Sequence, residues 1–478
     1  MMSDHQRKAA ELSSQIHPKN LLRNHMPFQW TFLLTIGLLF FSGCSGNRVS
    51  EVSVEASGVE IRGETPKFNE IDWPSWRGRT NDGMVPSGQK LITNWSVTEN
   101  VLWSIDIPGR GNSSPIIVGD TVYLATADDD KEEQWVLAYD AKTGEAKWST
   151  MVRQGGFPTT RQMHPKSTHA NGTVACDGEH LFVAFLGNNV ITAYALDLEG
   201  KKVWEKEVGD FSSKFGYAPS VQIYRSAVLV SADHLGGGYL AALDRKTGQI
   251  AWRIPRPAKS SYSTARVVTV AGEDQLVISG CGTVSSYDPM TGLQKWTTDG
   301  TANATCGTVV ADKTHIFASG GFPESQTVCI TADGSRDVVW SRRVKVYEPS
   351  LLLKDGLLFG ITDKGIAYCW SASDGKELWK TRLQGTFSAS PIHCNENIYV
   401  PNNDGVTFVF KAVGESYQQI AANPLGDEAY ASLAVSDSKI FARVVDTSKG
   451  RQEKLYCLGT PTEETVSYTH LTLPTIRL

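Results

Sequence analysis

Short apolar runs recur along the chain, and each is followed by a polar turn and then by a second run that ends in an aromatic residue. In one copy, residues 135–139 predict a strand, residues 140–144 a tight turn, and residues 145–151 the antiparallel partner that carries Trp148. Gly supplies the positive φ that such a turn needs, and Asp bonds its own backbone. Upstream, residues 114–118 and 121–125 predict another hairpin. The pattern therefore predicts a repeating unit of four antiparallel strands.

Two copies of the unit, at 138–148 and 242–252, both read Ala-x-Asp-x-x-Thr-Gly-x-x-x-Trp, and the others are looser. Four short strands with their turns need roughly 40–45 residues, which is the size of a propeller blade. The large apolar Trp would pack against the next sheet, so we expect a structural docking role for these residues and for Trp103. The closing residues are Trp148, Trp204, Trp252, Trp296, Trp340, Trp379 and Tyr417.

The two ends of the repeat region complete each other. Residues 101–106 carry Trp103 with no hairpin ahead of them, and residues 431–458 supply three strands with no Trp strand. Pairing them closes a ring and removes two free sheet edges. We therefore predict an all-β fold, an eight-bladed β-propeller of four-stranded antiparallel blades closed by an N-terminal strand. Small or hydroxyl residues begin the first strand of each blade, as crowding at the axis requires.

The repeat resembles the tryptophan-docking motif of pyrroloquinoline-quinone (PQQ) propellers, a superfamily that includes quinoprotein alcohol dehydrogenases and the lipoprotein BamB. Residues 73–78 and 109–115 resemble the PQQ-like propellers abundant in planctomycete-type genomes. The resemblance covers residues 73–460 and implies the fold. It does not imply an activity, because one fold hosts many functions.

Both ends of the chain predict segments outside the propeller. The apolar run at 32–41 is followed by Ser42-Gly43-Cys44, which predicts a signal peptide over 1–44 and resembles a lipobox in which Cys44 is lipidated. The alternative is a plain secretory signal, since Phe41 stands where the lipobox prefers Leu, and translation could start at Met1 or Met26. We expect residues 45–72 to be a disordered tether and residues 461–478 to be a non-native, adapter-like tail. The protein is then exported to the periplasm or cell envelope.

Composition and motifs restrict the ligands and cofactors that we expect the protein to bind. A net charge of -5 over 478 residues gives no excess of basic residues that would indicate binding to nucleic acid. We also expect the protein to be a monomer. No CxxC or CxxCH motif is present, so neither a zinc site nor attached haem is indicated. As the resemblance implies, a PQQ dehydrogenase needs Ca²⁺, an Asp base and two adjacent cysteines over the cofactor. The chain has no Cys-Cys pair, so we expect no catalytic residue, no metal site and neither PQQ nor Ca²⁺.

The first strands also indicate where a partner would bind. We expect a hydrated axial channel, with candidate residues at its mouth: Asn112, His169, Asn171, Tyr217, Glu348 and Tyr430. Three hypotheses for the function follow. The favoured one is a non-catalytic envelope propeller that binds a protein or an envelope polymer as a scaffold. The others are a PQQ-dependent oxidoreductase acting on an alcohol or sugar, and a propeller that binds a carbohydrate or another small ligand.

Overall fold

The computed structural model describes residues 55–461, which form eight antiparallel β-sheets arranged as the blades of a propeller. Seven sheets have four strands and one, blade 3, has a fifth. The only helix in this part of the chain is the 3₁₀ turn Thr160–Gln162. The predicted all-β, eight-bladed fold is confirmed.

The strands of each blade are given from the axis outwards. Blades 1 and 2 comprise Ile116–Val118, Thr121–Asp128, Glu133–Asp140 and Ala146–Gln154, then Ala175–Cys176, His180–Gly187, Val190–Asp197 and Lys202–Asp210. Blades 3 and 4 comprise Gln222–Tyr224, Ala227–Ala232, Tyr239–Asp244 and Ile250–Pro255, edged by Glu55–Ala56, then Arg266–Val270, Glu273–Gly280, Thr283–Tyr287 and Gln294–Asp299.

The second half of the ring repeats this order. Blades 5 and 6 comprise Val310–Ala311, His315–Gly320, Gln326–Thr331 and Val338–Arg342, then Leu352–Lys354, Leu357–Ile361, Ile366–Ser371 and Glu377–Arg382. Blades 7 and 8 comprise Ile392–Cys394, Asn397–Pro401, Val406–Lys411 and Gln419–Pro424, then Ala434–Ser436, Lys439–Asp446, Gln452–Leu458 and Val101–Ile107. The N-terminal strand thus completes blade 8, with Trp103 opposite Cys457, as the sequence predicts.

The direction of the strands distinguishes the two faces of the propeller. Each innermost strand begins at one face, here called the mouth face, and ends at the other, the far face. The loops between second and third strands, and the loops between blades, lie on the mouth face. The far face carries the short turns after first strands and the turns after third strands. Loops that connect blades and loops that carry the repeat motif are therefore on opposite sides.

The docking tryptophans explain the repeat motif. In the first full copy, Asp140 Oδ1 accepts hydrogen bonds from the backbone N–H groups of Lys142 and Thr143 at 2.9 Å, and Gly144 has a φ of 78°. A Cβ on Gly144 would lie 2.9 Å from the Trp103 ring of the preceding blade. Gly therefore lets the indole lie flat on the turn of the next blade.

The same contact recurs around the ring. A Cβ would also crowd the indole of the preceding blade at four further turn glycines. These are Gly200, Gly248, Gly292 and Gly375, which face Trp148, Trp204, Trp252 and Trp340 respectively. Six indole N–H groups donate to a backbone carbonyl of the next blade at 2.8–3.2 Å, from Trp103, Trp148, Trp204, Trp252, Trp340 and Trp379. The motif is thus a contact between blades as much as a turn within one.

Two interfaces depart from this pattern. The Trp296 N–H donates to Gln275 Oε1, and the Gln275 amide donates to the carbonyl of Ala332 in blade 5. Blade 7 has Tyr417 in place of Trp, and its hydroxyl donates to Gln419 of its own blade. Trp95, from the segment before the closing strand, is buried beside blades 7 and 8. A residue from outside the repeat therefore fills the interface that lacks a docking Trp.

Residues 55–72 differ from the expected disordered tether. Glu55 and Ala56 pair with Arg253 and Trp252 at the outer edge of blade 3. The backbone N–H of Arg62 donates to Ser226 Oγ, and the Ser226 N–H donates back to the Arg62 carbonyl. Backbone bonding to blade 3 fixes this stretch in a way that its polar composition does not reveal. The signal peptide, Cys44, residues 45–54 and the tail from 462 onwards lie outside the described residues.

Candidate functional site

The candidate site is a chamber of about 220 Å³ on the propeller axis. Its wall is made by the residues that begin the innermost strands, and its rim by the loops just before them. The rim carries four aromatic side chains, those of Phe215, Tyr262, Tyr347 and Tyr430. Loops from several blades converge here because all innermost strands start at the mouth face.

A closed ring of hydroxyl groups surrounds the axis. It consists of Ser114, Thr173, Ser220, Thr264, Thr308, Ser350, Ser390 and Ser432, one from each blade. In seven of the eight steps, the backbone N–H of one member donates to the hydroxyl oxygen of the next at 2.9–3.1 Å. In the remaining step, Thr308 Oγ1 donates to the Thr264 carbonyl at 2.6 Å. The small residues are therefore selected for a hydrogen bond between blades as well as for size.

The far end of the axis is crossed by residues 73–85, here called the far-end segment. Backbone hydrogen bonds tie it to the innermost strands, from Trp73 to Ile117 at 2.7 and 3.0 Å and from Cys176 to Pro74 at 2.8 Å. The backbone N–H of His393 donates to the Gly83 carbonyl at 2.8 Å on the other side of the axis. The segment therefore spans blades 1, 2 and 7.

Two buried arginines hold the same segment in place. Arg77 donates to the carbonyls of Asp82 and Leu351 at 2.7 Å, and Arg266 of blade 4 donates to the Thr80 carbonyl at 2.7 Å. Burial lowers the pKa of Arg77 to about 9, which reflects the cost of placing its charge among backbone groups. Trp76 of this segment lines the chamber. The axis thus ends in a floor, whereas the sequence analysis expected a hydrated axial channel.

The structure brings four of the six candidate residues to the chamber: Asn112, Asn171, Glu348 and Tyr430. Asn171 is committed to the rim, because its amide donates to the carbonyl of Thr168 in its own loop and to that of Tyr217 in the next loop between blades, both at 2.9 Å. Asn112 donates to Asn171 Oδ1 at 3.0 Å. These two side chains therefore hold the rim in shape and offer little to a ligand.

His169 and Tyr217 do not reach the mouth, so the structure contradicts their assignment to it. His169 stacks on Phe157 with ring centroids 4.0 Å apart, and burial lowers its pKa. Tyr217 is buried in the core, where its hydroxyl donates to the Ser231 carbonyl at 3.1 Å. Both residues were assigned to the mouth because each stands a few residues before an innermost strand. Their two loops, however, turn these side chains away from the axis.

Glu348 is held by an ion pair across the axis. Lys166 Nζ lies 3.0 Å from both carboxylate oxygens of Glu348, and Ser388 donates to the same carboxylate. Lys166 precedes blade 2 and Glu348 precedes blade 6, which stand on opposite sides of an eight-membered ring. The pair is here called the axial bar. The sequence analysis singled out Glu348 but gave no means of pairing it with Lys166.

Trp76 is the functional candidate that the site assignment missed. It lies in the Trp73-Pro74-Ser75-Trp76 motif, which the sequence associates with the family and not with the axis. The only signal was a pair of tryptophans ahead of the first blade that no blade required. Such a pair indicates that the segment packs against the propeller, but not where.

The chamber residues do not fit a calcium ion with PQQ. Ca²⁺ takes 6–8 oxygen ligands, and Glu348 is the one carboxylate lining the chamber. Its charge is already matched by Lys166, and the nearby amide of Asn171 is used by Ser167, Thr168 and Tyr217. Cys306 lines the chamber without a second cysteine beside it, and burial raises its pKa.

The rest of residues 55–461 offers no stronger site for a metal or a disulfide. Within that range, His, Cys, Asp and Glu side chains form no group of three or more that could hold a metal ion. The seven cysteines it contains are all free, six of them buried. The same residues include no helix with the length and apolar character that crossing a membrane requires.

Eight sheets docked through tryptophans define the class of the protein, a PQQ-repeat β-propeller. A family profile described as outer membrane protein assembly factor BamB matches residues 45–168, 154–381 and 351–415. The chain therefore belongs to that family. It is 26% identical over 202 residues to outer membrane protein assembly factor BamB of Burkholderia pseudomallei (strain K96243), a match covering 41% of this chain and 47% of that protein. The matched region thus spans about half the length of this curated relative.

Solved structures show the same fold at low identity. BamB from Moraxella catarrhalis is 16% identical, with a TM-score of 0.54 over 76% of this chain and 98% of that one. A europium-containing methanol dehydrogenase is 11% identical, with a TM-score of 0.61 over 82% and 98% of the two chains. A quinohemoprotein alcohol dehydrogenase from Comamonas testosteroni is 12% identical, with a TM-score of 0.59 over 82% and 81%. These likenesses concern the fold alone.

Proposed function

We propose that this protein is a non-catalytic scaffold of the cell envelope that binds a protein partner on its mouth face. One observation carries the proposal, which is the set of large apolar side chains exposed there. Phe215, Leu235 and Phe322 are 40%, 52% and 60% exposed, and all three lie in mouth-face loops. Apolar groups exposed together on one face of a protein are typical of protein interaction sites.

The family supports this choice between the hypotheses. Its description, outer membrane protein assembly factor, names an assembly role in the envelope and no reaction. The mouth-face loops rest on a rigid ring, which is how binding loops are commonly presented. A carbohydrate ligand is the less favoured alternative, because the aromatic rings of Tyr262 and Tyr347 line the chamber and not an open surface groove.

Site-specific crosslinking tests the proposal. A photoreactive amino acid would replace Leu235, Phe322 or, as a matched control, Leu293, which is 58% exposed on a far-face turn. We expect a discrete protein adduct in intact cells from positions 235 and 322 and none from 293. The same adduct from all three positions, or none from the mouth face, would contradict the proposal.

The alternative activity as a PQQ-dependent oxidoreductase is tested on the purified protein. Because the chamber supplies one carboxylate that is already paired, we expect no saturable change in Trp fluorescence on titration with PQQ and Ca²⁺. We also expect no dye reduction with alcohols or sugars. Micromolar binding accompanied by dye reduction would replace the scaffold hypothesis with the enzymatic one.

Membrane attachment through Cys44 is a further part of the proposal. It is supported by the lipobox-like Ser42-Gly43-Cys44 and by the family's description as an outer membrane protein assembly factor. Stable anchoring takes more than one acyl chain, as a lipidated N-terminal Cys provides. Cys44→Ser should move the protein from the membrane to the soluble fraction, with Ser45→Ala as the matched control. Unchanged membrane association would reject lipidation.

A further inference from the structure

The chamber behind the axial bar has a wall rich in hydrogen-bond donors. Five ring hydroxyls line it: Ser114, Thr173, Ser220, Thr264 and Ser432. Each of these oxygens already accepts a backbone N–H from the neighbouring blade. Within residues 55–461 none of the five hydroxyl protons has a protein acceptor, so each remains available to donate.

The acceptors at the rim are, in contrast, already in use. Glu348 accepts two bonds from Lys166 Nζ and one from Ser388. Asn171 Oδ1 accepts from Thr168 and Asn112. A ligand that enters the chamber therefore meets free donors and one cation, the Lys166 ammonium, whose present partner is a carboxylate. These features favour a ligand that is itself an acceptor-rich anion.

We propose that the axial chamber binds a single carboxylate group, which enters by taking the place of Glu348 on Lys166. The exchange substitutes one carboxylate for another, so the ammonium keeps a partner throughout. Lys166 is 34% exposed and Glu348 is 23% exposed, so solvent reaches both partners and screens their attraction in part. The axial bar therefore opens at a lower cost than a fully buried ion pair would.

The size and charge of the chamber restrict the carboxylate further. About 220 Å³ is well above the ~10–15 Å³ of such space that one water molecule requires. That space holds a carboxylate with a short stem, such as a small free acid or the last residue of a polypeptide. A dianion such as phosphate is disfavoured, because the displaced Glu348 remains nearby with its own negative charge. The inference deepens the proposed function, since a partner's carboxylate would then enter the mouth.

Calorimetric titration of the purified chain tests the proposal without the partner. The probes are acetate, trialanine with a free C-terminus, trialanine amide and inorganic phosphate. We expect saturable binding of acetate or trialanine, and none of trialanine amide or phosphate. Tighter binding of trialanine than of acetate would identify a polypeptide terminus as the source, and the reverse order would identify a small acid.

Two variants of the axial bar should act in opposite directions. Lys166→Met removes the cation and should weaken carboxylate binding at least about tenfold, as loss of a hydrogen bond to a charged group does. Glu348→Gln removes the competing carboxylate and should strengthen binding. A purely structural ion pair predicts that both variants weaken binding alike. Lys295→Met, which breaks the far-face pair with Glu273, is the matched control and should change nothing.

The outcomes separate the two proposals. No saturable binding by either carboxylate, equal binding of the amide or of phosphate, or loss of binding in both variants would overturn the carboxylate site. None of these results concerns the crosslinks at positions 235 and 322, which test partner binding outside the chamber. Crosslinks without carboxylate binding would leave the scaffold standing and reject the chamber as a site.

Discussion

The two ends of the propeller axis are closed in different ways. At the far end, backbone hydrogen bonds and the buried Trp73, which is 1% exposed, fix a segment across the innermost strands. At the mouth, one partly exposed ion pair between Lys166 and Glu348 spans the opening. Backbone pairing and apolar burial are costly to undo, whereas a single ion pair that solvent partly screens is less so. The comparison indicates that the far end is a permanent part of the fold and the mouth is where rearrangement occurs.

The largest expected effect comes from removing the far end altogether. A variant lacking residues 1–106 loses the far-end segment and most of the closing strand Val101–Ile107, which leaves blade 8 with an exposed edge. We expect aggregation or loss of a cooperative thermal transition. A variant that begins at residue 55 keeps both features and is the control. Unchanged melting of the shorter variant would show that the ring does not need this closure.

A single substitution at the far end should also be severe. Trp73→Ala removes a fully buried side chain and should reduce the free energy of unfolding by about 3–5 kcal/mol. The matched substitution at the mouth is Tyr430→Ala, whose side chain is only half-buried and should cost much less. Denaturant unfolding of both variants measures the difference. Equal losses would remove the distinction between the two ends.

Acid should destabilise the fold through a histidine at the far end. His393, whose backbone bonds to the far-end segment, has its pKa lowered to about 4, first by burial and then by Lys354. Because the folded chain resists this proton, the unfolded chain takes it up first. The contribution of His393 is complete above about pH 6.5 and is lost as the pH falls towards 4. His393→Gln should flatten the pH dependence of unfolding in that range, and an unchanged profile would exclude His393 as its cause.

The smallest stability effect is expected at the axial bar. Lys166→Met should change the free energy of unfolding by less than about 1 kcal/mol, since the pair is partly exposed. Thermal unfolding at low and high salt measures this effect, and salt should affect the parent chain only slightly more than the variant. A loss comparable with that of Trp73→Ala would mean that the mouth is as rigid as the far end.

The blades could be predicted from sequence because their signal is local. The Asp140 turn, Gly144 and Trp148 lie within a few residues of one another, and the same spacing recurs. The closure by Trp103 followed from counting strands. Residues 55–72, in contrast, have a polar composition that suits disorder, and their pairing with Arg253 and Trp252 depends on an edge nearly 200 residues away.

The candidate site could be predicted only in part, for a similar reason. Asn112, Glu348 and Tyr430 were found because each stands just before an innermost strand. The pairing of Lys166 with Glu348 joins loops from opposite blades, and no local pattern encodes that distance. Tyr217 obeys the same positional rule but turns into the core. Loop conformation, which the repeat does not specify, decides which side chains reach the axis.

The closing strand also determines the order in which the molecule can be completed. Val101–Ile107 is synthesised before the first blade, but its partner Gln452–Leu458 is synthesised only after the other seven blades. Contacts so distant in sequence form slowly, because a long loop must close first. An early strand without its partner is an unpaired edge that can join a neighbouring chain. Blade 8, which closes the ring, is therefore the blade most prone to pair with a neighbouring chain while synthesis is still in progress.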